Sequence, residues 1–157
     1  MPSDTLKPLL PALFFLWSSM WAADPFAGKW KLNIDKSDFG HGPTAKRGSA
    51  TYTPKSGAYT FECETVFDKG NFVRLAMPVT FDDSVYPGRL GNRGVVFTSK
   101  RIDSTSYRTL IADSYGAKAT QMFQYVVSAD GNTLTFTWIN GGKDKAGVRW
   151  VWVYDKE

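Results

Sequence analysis

Apolar residues in this chain recur at every second position over short runs, and turn-forming residues separate the runs. Trp30, Leu32 and Ile34 alternate with Lys29, Lys31 and Asn33, the period of a strand with one face against a core. A stretch bearing Gly, Pro and Ser follows from Asp35 to Gly48, and TYTPKSGAYTFECETVF then reads as two strands turning at Lys55-Ser56-Gly57. In the second of these, Tyr59, Phe61, Cys63, Thr65 and Phe67 share one face, and Glu62 and Glu64 share the other. After the turn Asp68-Lys69-Gly70-Asn71, Val73, Leu75, Met77, Val79 and Phe81 line up. Pro78 falls inside that run, where a residue without an N–H predicts a bulge, an edge or a break. Ser84 to Arg93 reads as a loop, and VVFTSKRI, SYRTLIA and ATQMFQYVVS follow as strands. Asp130-Gly131 tolerates positive φ at both positions and predicts a tight hairpin before TLTFTW. There Leu134, Phe136 and Trp138 alternate with threonines, whereas the last run, VRWVWVYD, is apolar on both faces.

No segment from residue 24 onward has helical periodicity. Eight to nine short strands joined in sequence by tight turns predict an all-β fold, an antiparallel up-and-down barrel or a sandwich. Closure removes both sheet edges and favours the barrel. The first 23 residues differ. Leu9 to Trp17 is apolar and interrupted by Pro11, and small residues follow at Ser18, Ser19, Ala22 and Ala23. This reads as a secretory signal peptide over 1–23, ahead of one domain over 24–157. The run is too short for a membrane span, which needs about 20 apolar residues, so no span is expected after cleavage. Trp21 stands where a cleavage site prefers a small residue, which leaves open whether and where the leader is cut.

Composition narrows the function classes. The net charge is +4 and the basic residues are scattered, which fits solubility and argues against a nucleic-acid partner. Cys63 is the single cysteine, so no disulfide can staple the domain. Export without a disulfide fits a bacterial envelope, periplasmic or extracellular.

The opening Gly28-Lys29-Trp30, the meander of short strands and an Arg near the end of the last strand resemble the lipocalin and calycin barrels. DPFAGKWKLNIDKSDFGHGP, VVFTSKRID, VVSADGNTLTFTW and the terminal VYDKE more closely resemble small exported bacterial lipocalin-like proteins of unsettled function. The resemblance implies that Trp30 closes one end of the barrel and that Arg149 packs over its indole, with Arg101 a weaker candidate. Arg149 would then face inward with Val151 and Val153, and Trp150, Trp152 and Tyr154 would form an outward row.

Residues with chemical potential are few. His41 lies between two glycines with no other His or Cys near it, so it reads as an exposed loop residue. Cys63 shares an apolar face and reads as a buried, inert thiol. Glu62 and Glu64 read as a solvated outer pair, and YPGRLGNRG lacks the pattern of a phosphate loop. No nucleophile–base pair or metal cluster stands out, so neither an enzyme nor a cofactor is expected. The inward set Phe61, Leu75, Met77, Gln121, Phe123, Tyr125, Phe136 and Trp138 either fills the barrel or lines a cavity for one small apolar molecule. The alternative is an envelope interaction module, with a filled barrel and the Trp150, Trp152 and Tyr154 row facing a protein partner or a second copy.

Overall fold

Strong alternation, short runs and turn glycines produce a chain of antiparallel hairpins. The computed structural model describes residues 24–113, 121–140 and 147–157, with the backbone alone at 113, 140 and 147–149. The leader-like segment lies outside the described residues. The strands are β1 (Gly28–Asp38), β2 (Ala45–Lys55), β3 (Ala58–Phe67), β4 (Phe72–Val79), β5 (Tyr86–Leu90), β6 (Arg93–Asp103), β7 (Ser106–Asp113), β8 (Gln121–Val127), β9 (Thr133–Asn140) and β10 (Gly147–Lys156). Each pairs with its sequence neighbours, and β1 also pairs with β10, closing a ten-stranded antiparallel barrel. One end, the lower, carries the start of β1, the end of β10 and the β2–β3, β4–β5, β6–β7 and β8–β9 connections. The β1–β2, β3–β4 and β5–β6 turns lie at the upper end.

The pattern predicts eight to nine strands, and the barrel has one more. The additional strand is β5, YPGRL, in the stretch that reads as a loop. Pro87 and Gly88 conceal its alternation. β5 pairs along its length with β6 but meets β4 only at Leu75↔Leu90 and Ala76↔Arg89. Continued by two residues, that register would set Pro78 directly opposite Pro87. Neither can donate an N–H, so the ladder stops there. Pro78 thus sits one residue before the end of β4, paired with Thr60 of β3 on one side only.

Two further expectations change. The alternation of β1 carries Trp30 and Leu32 into the core, but the register with β10 jumps between Asn33 and Asp38 and leaves Ile34 exposed. The excursion is tied down by Asn33 Nδ2 donating to Asp155 (2.6 Å), and by Ser37 Oγ, which accepts from Val153 N (2.9 Å) and donates to Asn33 O (2.6 Å).

The parity of β10 is also the reverse of that implied by the resemblance. Tyr154, Trp152 and Trp150 pair with Leu134, Phe136 and Trp138, the alternating face of β9. Tyr154 is buried, and both tryptophans pack against the core, so the row faces inward rather than outward. A strand apolar on both faces carries no parity of its own; its hairpin partner sets it.

Trp30 lies at the lower end, in the third position of β1. It is fully buried, and its Nε1 donates to Phe26 O at 3.0 Å. The cation over its ring belongs to Lys156, and the side chain of Arg149 lies outside the described residues. Trp30 pairs with Lys156 at the end of β10, whereas position 149 lies near that strand's start. Lys156 Nζ stands 4.9 Å from the indole centroid. Arg101 does stack on an aromatic ring at this end, but on Phe81, 4.0 Å from its centroid.

These contacts predict two outcomes in urea unfolding. Trp30→Ala empties a fully buried site and should destabilise by ~3–5 kcal/mol; a loss under ~1 kcal/mol would refute its role as the plug. A Cβ on Gly88 would lie 2.1 Å from the Phe97 ring and 2.7 Å from Ala76 O. Gly88→Ala should therefore cost ~1–3 kcal/mol, and Phe97→Leu in the same chain should cost less than the sum of the two.

Candidate functional site

Whether an eight- to ten-stranded barrel is filled or hollow depends on how far its inward side chains reach. In the lower half they meet across the middle. β3 and β8 are five steps apart around the ring in either direction, as are β2 and β7. Yet the Phe61 ring of β3 lies 5.6 Å from the Tyr125 ring of β8, and the hydroxyls of Tyr52 in β2 and Tyr107 in β7 are 2.6 Å apart. Tyr125 stacks on Tyr107 at 4.5 Å and on Phe136 at 4.7 Å. Phe26, fully buried, covers this layer from below, 5.1 Å from Tyr107 and 5.5 Å from Tyr52.

One pleat higher the filling is incomplete. A cavity of about 220 Å³ opens there. Leu75, Phe123, Phe136, Trp150 and Trp152 form much of its wall, with Cys63, Thr65, Phe67, Ile111 and Gln121. Phe39, Gly42, Pro43, Val73 and Leu90 complete it towards the upper end, where Gly42, Pro43 and Val73 are exposed. The wall aromatics form two stacks. Phe123 lies on Phe136 (5.0 Å, 20° between planes) and Trp150 on Trp152 (4.7 Å, 25°), and Phe136 meets Trp150 edge-on at 5.4 Å.

The predicted inward set divides between these halves. Leu75, Gln121, Phe123 and Phe136 line the cavity, whereas Phe61, Met77 and Tyr125 lie in the packed core beneath it. Trp138 is half-buried and stacks on Trp150 at 5.4 Å. Trp150 and Trp152, expected on the outside, are wall residues. The β1–β2 loop does approach them, with Phe39 5.9 Å from Trp152, but it does so from within the mouth. Leu90 enters from the stretch read as a loop. The alternation of β9, transferred across its hairpin to β10, was the available signal for the tryptophans. Nothing in the local pattern marks Phe39 or Pro43.

Polar groups in the wall are neutral. Cys63 Sγ lies 3.5 Å from Tyr154 Oη and 3.9 Å from Thr65 Oγ1, and burial pushes its thiol up from the ordinary value. Among the described residues no Lys, Arg, His, Asp or Glu lines the cavity, and no group of His, Cys, Asp and Glu could hold a metal ion. Glu64 faces outward and pairs with Arg74 at 2.5 Å; His41 is exposed in the β1–β2 turn. At the lower end Tyr59 donates to Asp24, and burial followed by that hydrogen bond pushes its phenol up to about 12.

No family model and no curated relative matches the sequence. Among solved structures the barrel is similar to a Schistosoma mansoni fatty acid binding protein in complex with arachidonic acid, at a TM-score of 0.57 and 18% identity. The match covers 85% of this chain and 96% of that one. The fold is calycin-like. At this identity the likeness concerns architecture.

Burial, above all, raises the phenols of Tyr52, Tyr107, Tyr125 and Tyr154 well above the usual value of 10.0. In the unfolded chain they ionise near pH ~10, while in the folded chain they stay protonated. Their stabilising contribution is complete below that pH and is lost as pH rises towards the folded values. Alkaline titration should therefore give a tyrosinate step, beyond that of the exposed phenols, which coincides with loss of the β-sheet circular dichroism. Tyrosinate from these four appearing in a still-folded barrel would contradict the packing.

Proposed function

We propose that this protein is a non-catalytic carrier that holds one small apolar molecule in the upper half of its barrel. The observation that carries this reading is the aromatic cavity of about 220 Å³ directly above a packed floor. Transfer of apolar ligand surface from water into such a wall contributes about 25 cal/mol per Å². The volume is below the roughly 300–1,000 Å³ of pockets for drug-sized ligands, which favours a compact molecule. The arachidonic acid held by the similar fatty acid binding protein supports the class of ligand. The filled lower half of this barrel argues for a shorter one.

The leader-like first 23 residues and the single thiol favour a bacterial exported setting, periplasmic or extracellular, where a carrier would shield its cargo from water. The alternative, a docking module for a protein partner or a second copy, relied on an exposed Trp150, Trp152 and Tyr154 row. With those rings turned inward, the carrier is the better-supported reading.

Titration with N-phenyl-1-naphthylamine, a neutral probe whose fluorescence rises in apolar surroundings, tests it. Saturable binding of one probe per chain is expected. Leu75→Trp, which pushes an indole into the cavity, should weaken binding at least ~10-fold while the barrel stays folded, because overpacking typically costs only ~1–3 kcal/mol. Absence of binding, or equal binding by the folded variant, would overturn the reading.

A further inference from the structure

We propose that the cavity selects a flat, neutral ring system with one hydrogen-bond acceptor at its leading end, and that the Tyr125 hydroxyl supplies the donor at the floor. This rests on the carrier reading and deepens it.

The first argument is electrostatic. No described charged side chain lines the cavity, so a carboxylate there would lose its hydration without gaining a counter-charge. A neutral molecule escapes that cost. The second argument is shape. The stacked pairs Phe123–Phe136 and Trp150–Trp152 present planar faces and edges, the arrangement in which an inserted ring makes offset and edge-to-face contacts.

The third argument concerns the floor. Tyr125 is fully buried, and its hydroxyl has no hydrogen-bond partner among the described residues. The hydroxyls of Tyr52 and Tyr107 bond to one another, and Tyr154 is engaged with Cys63. A phenylalanine would pack against Tyr107, Phe61 and Phe136 equally well, so packing alone does not account for the oxygen, whose burial without a partner costs stability. Tyr125 stands immediately beneath the cavity. Phe123, the preceding inward residue of β8, lines it, and so does Phe136, on which Tyr125 stacks. A ring entering from the upper end with its acceptor leading brings that atom to the floor-layer hydroxyl that has no hydrogen-bond partner among the described residues. A phenol is protonated and able to donate at neutral pH, and burial moves its ionisation further away.

Calorimetric titration at neutral pH with four probes tests this: 2-acetylnaphthalene, 2-ethylnaphthalene of the same shape without an acceptor, 2-naphthoate and decanoate. The acetyl compound should bind about three- to tenfold more tightly than the ethyl compound, the yield of one buried hydrogen bond, and both anions should bind more weakly than either. Tyr125→Phe should abolish the acetyl advantage, leave ethylnaphthalene affinity within about twofold, and keep or raise the thermal midpoint, since it deletes an unsatisfied group. Equal binding of the two neutral probes, an advantage that survives Tyr125→Phe, or tighter binding of either anion would overturn the inference and leave the carrier reading standing. Failure of all four probes, together with N-phenyl-1-naphthylamine, would overturn both.

Discussion

The rest of this structure depends on side chains that reach across the barrel. Phe61 and Tyr125 come from opposite walls and touch, and the hydroxyls of Tyr52 and Tyr107 meet between two other opposite walls. A closed sheet leaves its interior to be filled by side chains alone, and aromatic residues are the ones long enough to span it. With 11 Phe, 7 Tyr and 6 Trp, the chain can fill one half completely. The ring contacts stiffen that half as well as filling it, because each ring is held from several directions. Where the opposite wall supplies Cys63 and Thr65 instead of Phe61, the reach is too short and the cavity begins. The position of the floor is therefore a matter of side-chain length along β3.

The two ends of the barrel consequently differ in kind. Below, Phe26 lies over the tyrosine layer, Trp30 bonds to its carbonyl, and Arg101 stacks on Phe81. Phe81 holds a left-handed backbone (φ 61°) to place its ring there, a strain that a non-glycine residue tolerates when its contacts compensate. Above, the connections carry Gly42, Pro43 and Val73 to an exposed rim. A ligand of the proposed carrier would enter at this exposed end and meet the packed layer below.

Much of this is legible in the sequence wherever a strand has one polar face. The alternation of β3, β4 and β9 places Phe61, Leu75, Met77 and Phe136 inside, and Gly28-Lys29-Trp30 places the plug. Legibility fails where the local period is silent. β10 is apolar on both sides, so its facing could be taken only from the partner strand, and the assignment of an outward Trp150, Trp152 and Tyr154 row inverted it. β5 is hidden by Pro87 and Gly88. The depth of the cavity depends on contacts between strands more than 50 residues apart, such as Tyr52 with Tyr107, and no window of sequence contains both partners. Tyr125 illustrates the limit: its inward direction is plain from the pattern, but its unpartnered hydroxyl is a property of everything around it.

The opposed prolines at positions 78 and 87 bear on how the chain behaves among its own copies. Where β4 and β5 part, each strand presents a short free edge, and a free edge is a template on which a neighbouring chain can add a strand. Both edges here carry a residue with no N–H to offer. An incoming strand would find a missing donor on whichever side it approached. The same pair of residues that interrupts the ladder between β4 and β5 thus discourages its extension into aggregates, and this gap in the wall does not become a point of attachment.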